Sequence, residues 1–179
     1  TSYQNGSKLG GHISHKGING VEISTGSLGH ALSIGSGIAL ELKKLKKKNR
    51  VFVLLSDGEL DEGSNWEAIL FSAHHKLNNL VTIVDYNKLQ SIKSVEETLS
   101  LEPLIDKWNS FGWDVENIDG HNHEELNRAL KKSSKKPLCV IANTIKGKGV
   151  SFMENNNLWH YRSPQGSEFN EAMKELENL

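Results

Sequence analysis

Arg50-Val-Phe-Val-Leu-Leu-Ser-Asp-Gly58 and Leu80-Val-Thr-Ile-Val-Asp-Tyr-Asn87 decide how this chain folds. Each opens with a short, continuous run of β-branched and apolar residues, the pattern of a strand buried on both faces of a parallel sheet. Between them Ser64-x-x-Glu67 reads as a capping box that starts a helix running to about Leu77. Strand, helix and strand in that order make one βαβ crossover. Working outward, apolar residues recur at helical spacing from Ser27 to Lys47, and the basic run from Lys43 to Arg50 reads as the solvated carboxyl end of that helix. Downstream, Glu102-Pro103 starts a helix and Trp113 to Ile118 is a third strand. Asn122-x-x-Glu125 caps a helix to about Ser133, Pro137 to Thr144 is a fourth strand, and 167–178 forms an amphipathic helix. The expectation is an α/β protein: a doubly wound, mainly parallel sheet with helices on both faces. Residues 1–26 carry six glycines and no apolar period, and read as a long functional loop.

Composition narrows the classes. The chain has 179 residues, 21 Lys+Arg against 22 Asp+Glu, and a formal charge of −1, so nothing in its balance points to nucleic acid or an anionic membrane. Its longest strictly apolar run, Val51 to Leu55, is far short of the ~20 residues a bilayer span needs. A single cysteine, Cys139, cannot form an internal disulfide, and a cytoplasmic setting is the simplest expectation. The length fits one domain, 1–179.

In a doubly wound sheet ligands gather outside the carboxyl ends of the strands. There the sequence places Asp57 after the first strand and Asn87 after the second, one crossover apart. A carboxylate, an amide oxygen and nearby backbone carbonyls make a hard, incomplete oxygen set. It suits Mg²⁺, with Ca²⁺ or Mn²⁺ as alternatives, completed by oxygens of a phosphate group. Gly58 lets a diphosphate approach the backbone, and the helix that follows favours an anion at its amino end. An EF-hand fails, because Glu62 stands where that loop needs glycine. A bare acidic turn in which Asp57 caps a helix is the plainer alternative. A nucleotide or flavin binder of the same fold lacks the expected Gly-x-Gly-x-x-Gly after its first strand.

Ser56-Asp57-Gly58 with Asn87 thirty residues after Asp57 resembles the thiamine-diphosphate motif, usually Gly-Asp-Gly followed by Asn. Gly20-Val-Glu-Ile-Ser-Thr-Gly-Ser-Leu-Gly29, Asp57-Gly-Glu-Leu-x-Glu-Gly63, Leu99-Ser-Leu-Glu-Pro-Leu104 and Lys146-Gly-Lys-Gly-Val-Ser-Phe-Met-Glu154 are similar to transketolase, most of all to the split type whose diphosphate half is a separate polypeptide. The resemblance runs in order along essentially the whole chain. It implies thiamine diphosphate as cofactor, with Asp57, Asn87 and the Leu89 carbonyl as ligands to Mg²⁺. It implies that Gly58 and Glu59 lie at the diphosphate, and that Gly26 and Leu28 line the aminopyrimidine ring. Glu62 would face a subunit interface toward the cofactor-activating glutamate. His12 and His160 would assist proton transfer and hydroxyl recognition near the substrate or diphosphate. The chain departs from the family at Ser56, where glycine is usual, and at Tyr86, where Asn or Arg is more familiar.

The resemblance also implies what the chain does not carry. The pyrimidine-binding domain and its glutamate are absent from this sequence, as is an upstream stretch holding another active-site histidine. The expectation is a diphosphate-binding half that is silent alone. It would be active with a C-terminal, pyrimidine-domain subunit in a homodimer or heterotetramer, and would move a two-carbon ketol unit between sugar phosphates. Related readings are 1-deoxyxylulose-5-phosphate synthase, a specialised sugar-assembly transketolase, or a non-catalytic remnant used as a scaffold.

Overall fold

A computed structural model describes Ser7 and residues 10–178. In chain order the elements are α1 (Ala31–Lys44), β1 (Val51–Ser56), α2 (Gly63–His74), β2 (Leu80–Tyr86), α3 (Val95–Thr98), α4 (Leu104–Ser110), β3 (Asp114–Asp119), α5 (His123–Lys131), β4 (Leu138–Asn143) and α6 (Ser167–Leu176). Single 3-10 turns cover Gly58–Asp61 and Asn157–His160. The four strands form one sheet in the order β1-β2-β4-β3, with every neighbouring pair parallel.

The two central strands behave as their unbroken apolar sequence requires. In β2, Leu80, Val81, Thr82 and Val84 are buried, and in β4 everything from Leu138 to Ala142 is buried. Two packed layers result. On one face α1, α2 and α4 bring Leu32, Ala39, Ala68, Ile69, Leu104 and Trp108 against Leu55, Leu80 and Val84. On the other, Ala129 of α5 with Leu126 and Leu130 covers Val81, Val140 and Ala142. Trp108 and Trp113 are almost wholly buried and stack edge to face with ring centres 4.9 Å apart. The Trp113 indole N–H donates to the Ile69 carbonyl at 2.9 Å, so α2 is stapled to the start of β3.

Local details differ from the sequence pattern in three places. β1 is an edge strand and alternates: Val53 and Leu55 are buried, while Phe52 and Leu54 are 50% and 67% exposed. Its apolar run therefore fills one face rather than two. The capping box at Ser64 does not form. Glu62 takes the N-cap of α2 without a side-chain bond, and the Ser64 hydroxyl donates instead to the Gly29 carbonyl at 2.7 Å. The box at Asn122 is half made. Its Oδ1 accepts from the Glu124 and Glu125 N–H groups, but the Glu125 carboxylate accepts from the Asp119 N–H rather than returning to the Asn122 backbone.

A candidate cofactor and metal site at the carboxyl edge of the sheet

β1 and β2 pair with Ser56 opposite Asp85, so the residues after them leave the sheet side by side. Asp57 sits at that exit, 1% exposed. Its Oδ1 accepts the Gly58 N–H at 2.7 Å and its Oδ2 accepts the Lys88 N–H at 2.6 Å, so one carboxylate joins both turns. Lys88 takes a left-handed conformation (φ 66°) as it presents that N–H. Burial raises the Asp57 carboxyl above the ordinary carboxylate range and Asp85 adds to the rise, while the two N–H bonds and the Lys146 ammonium pull the other way. A desolvated carboxylate at an open sheet edge is stabilised by an adjacent cation.

Asn87 follows on the same edge, its Oδ1 accepting the Leu89 N–H at 3.0 Å. The loop after it closes tightly, with Leu89 bridged to Ser94 and the Val95 N–H bonded to the Lys88 carbonyl at 3.0 Å. Tyr86 braces this loop from below: its hydroxyl donates to Glu102 at 2.6 Å, and Glu102 also accepts the Leu104 N–H. The Asp57 and Asn87 side chains do not bond each other, and among the described residues no group of three or more His, Cys, Asp or Glu is arranged to hold a metal. The protein's oxygen set is incomplete, as a cation that shares a phosphate requires. The residues fit a divalent ion and a diphosphate. At Gly58 an added Cβ would lie 3.3 Å from the Gln90 side chain, tighter than most such contacts.

The glycine-rich segment is latched onto this turn. The Gly29 N–H donates to Glu59 Oε1 at 2.9 Å, and Glu59 is buried, so its carboxylate is taken up by the loop. Gly29 has φ +82°, and a Cβ there would come within 2.8 Å of the Glu62 side chain and 2.6 Å of the Ser64 hydroxyl. Only glycine gives both that dihedral and that closeness. Glu62 and Leu28 are both exposed, on the outer side of the turn. Gly26 (φ +121°) packs on His12: an added Cβ would meet the imidazole Nδ1 at 2.8 Å. The Thr25 N–H reaches the Ile13 carbonyl at 3.0 Å, which holds the His12 segment beside the Gly26 segment.

His160 ends the 3-10 turn Asn157–His160 and is exposed. Burial of part of its ring lowers its pKa from the ordinary 6.5, and Lys146 lowers it further. Lys146 therefore acts on both Asp57 and His160. Sequence reasoning gives this lysine no role of its own. The available signal was its position, three residues past the end of β4 and next to β2 in the sheet order. Among the described residues, neither the His12 nor the His160 imidazole hydrogen-bonds to Asp57 or Asn87. The structure brings His12 to Gly26, Glu59 and Glu62 to Gly29, and Asp57 to the loop of Asn87 and Leu89.

A parallel sheet with a buried aspartate, an open glycine turn and an asparagine one crossover away defines a class: domains that hold a divalent cation together with a diphosphate group. The family described as "Transketolase, thiamine diphosphate binding domain" matches residues 2–176, and the chain belongs to it. It is 42% identical over 174 residues to one of the subunits of the apulose-4-phosphate transketolase of Phocaeicola vulgatus, covering 96% of this chain and 62% of that protein. It is 39% identical to the 6-deoxy-6-sulfo-D-fructose transketolase subunit SqwG of a Clostridium species, covering 96% of this chain and 64% of that one. The chain thus spans a little under two thirds of these relatives' length. Among solved structures, a Pichia stipitis transketolase complex with sedoheptulose 7-phosphate superimposes with a TM-score of 0.90 at 27% identity, over 97% of this chain and 28% of that one.

Proposed function

We propose that this chain is the diphosphate- and metal-binding part of a split transketolase, a transferase that moves a two-carbon ketol unit between sugar phosphates with a pyrimidine-domain subunit. The observation that carries this reading is the buried Asp57 carboxylate tying the Gly58 turn to the Asn87 loop. Asp57, Asn87 and the Leu89 carbonyl hold Mg²⁺, with Ca²⁺ or Mn²⁺ compatible with the same oxygens. Gly58 gives the diphosphate access to the backbone. Gly26 and Leu28 line the aminopyrimidine ring, and Glu62 faces the partner. When bound, thiamine diphosphate supplies the carbon nucleophile that carries the transferred fragment. His160, its pKa lowered, is neutral near pH 7 and can accept a proton from a sugar hydroxyl. His12, held against Gly26, stands near the substrate or diphosphate, where it orients hydroxyl groups. A single, buried cysteine fits a cytoplasmic setting.

The relatives that cover nearly all of this chain are named for specialised sugars, which favours a ketose outside the common set as donor. Co-purification of the partner followed by a ketol-transfer assay tests the reading. We expect no transfer by this chain alone and transfer by the assembled pair that depends on thiamine diphosphate and Mg²⁺. Normal rates from the chain alone, or none from the pair with any ketose phosphate, would overturn it.

A further inference from the structure

The opposite edge of the sheet holds a second cleft, of about 430 Å³, between the carboxyl ends of α1 and α5 and the starts of β1 and β2. Seven of its eleven lining residues are Lys or Arg, the others are Asn or Ser, and none is acidic. The chain as a whole carries −1, so this is segregation of charge and not a consequence of composition.

Part of the segregation follows from topology. In a parallel α/β sheet the helices end at this edge, and cations there offset the negative ends of their dipoles. That task is filled. The Lys43 ammonium donates to the His75 and Lys76 carbonyls just past α2. The Arg50 guanidinium donates to the Leu130 and Lys132 carbonyls at the end of α5. Lys132 pairs with Glu116. Lys46, Lys47, Lys48 and Lys131 then remain on the cleft wall with no ion-pair partner among the described residues.

Four surplus ammonium groups around one cleft repel each other, and a multivalent anion relieves that repulsion. A second observation bears on the ligand. Asn78, Asn79, Ser133 and Ser134 line the cleft beside the cations, and their amide and hydroxyl groups suit a ligand that carries hydroxyl groups as well as phosphates. The volume lies in the range of small-molecule sites, roughly 300–1,000 Å³.

We propose that this cleft binds a small organic molecule bearing two or more phosphate groups and free hydroxyls, a nucleoside polyphosphate or a sugar bisphosphate. The proposal is independent of the reading of the carboxyl edge, which lies the length of β1 away, about 20 Å for six residues.

The test is calorimetric titration of the full chain, with its partner bound, at 0.15 M salt and without divalent cations. ATP is the first probe and fructose 1,6-bisphosphate the second; whichever binds more tightly identifies the source of the phosphates. We expect saturable binding that weakens about tenfold in the K46Q/K47Q/K48Q variant and also in K131Q on the opposite wall. D57N should leave it unchanged, which separates this site from the diphosphate site. Circular dichroism checks that the lysine variants remain folded. The proposal is overturned by no saturable binding of either probe at millimolar concentration, by equal affinity in the lysine variants, or by loss confined to D57N. Tighter binding of single-stranded RNA, falling steeply with salt, would overturn it in favour of a nucleic-acid surface.

Discussion

The two edges of this one sheet carry opposite chemistry. At the carboxyl edge stand Asp57, Glu59, Asp61, Glu62 and Asp85; at the amino edge stand Lys43, Lys46, Lys47, Lys48 and Arg50. Helix direction accounts for the signs, since helices begin at the first edge and end at the second. It does not account for burial. Asp57 is 1% exposed and Glu59 6%, Asp57 accepting backbone N–H groups with both oxygens and Glu59 with Oε1, whereas Lys46, Lys47 and Lys48 are all exposed. The acidic edge is built into the fold. The basic edge is laid on the surface.

The largest effect separating the two edges is expected at Asp57. Replacing it by alanine removes the proposed cation ligand and the link between the Gly58 turn and the Lys88 loop together. Affinity for thiamine diphosphate with Mg²⁺ should fall about 100-fold or more, two of the tenfold steps that each correspond to ~1.4 kcal/mol. Calorimetry on the assembled protein reads it, and an unchanged affinity would sink the metal assignment. Lysine substitutions at the amino edge should leave that affinity alone.

Stability gives the next contrast. Glu59→Ala leaves the Gly29 N–H without its acceptor beside a turn that has no room to rearrange, a cost of about 1–3 kcal/mol. Lys47→Ala, on the exposed side of the molecule, should stay within about 0.5 kcal/mol of the parent. Urea unfolding of the two variants side by side decides it. Equal stabilities would mean that burial does not distinguish the edges.

How far these differences could be read in advance depends on the range of the interaction. The strands β2 and β4 and the pairing that sets Asp57 next to the Asn87 loop were legible, because buried parallel strands leave unbroken apolar runs and a crossover has a known length. The exposure of Phe52 and Leu54 was not, since an apolar run does not say whether its strand lies at an edge. Ser64 followed a local rule on paper and a tertiary one in the fold, as the Gly29 carbonyl arrives from 35 residues away and competes for its hydroxyl. Glu59 was placed with the cofactor by resemblance, and only the packed loop shows its carboxylate meeting Gly29. The basic run at Lys43 to Arg50 read as a solvated helix end. What local sequence lacked was its far wall, Lys131, more than eighty residues on from Lys43.

Lys146 runs against the sign pattern, a cation acting on the acidic edge, and it offers the finest test. Its charge favours the ionised form of Asp57 and disfavours protonated His160. For His160 the larger cause is burial, so Lys146→Gln should raise the imidazole pKa only part of the way back to 6.5. The sign follows directly. An imidazole whose pKa is lower in the fold than in the unfolded chain takes up its proton later in the fold. As pH falls through 6.5 the unfolded chain binds the proton first, so this group's cost to the folded state grows from there down to its folded pKa and is present in full below it. NMR titration of the His160 ring in the parent and in Lys146→Gln reads both values. We expect the parent below 6.5 and the variant between the two. A variant value that does not move would mean that the lysine does not face His160.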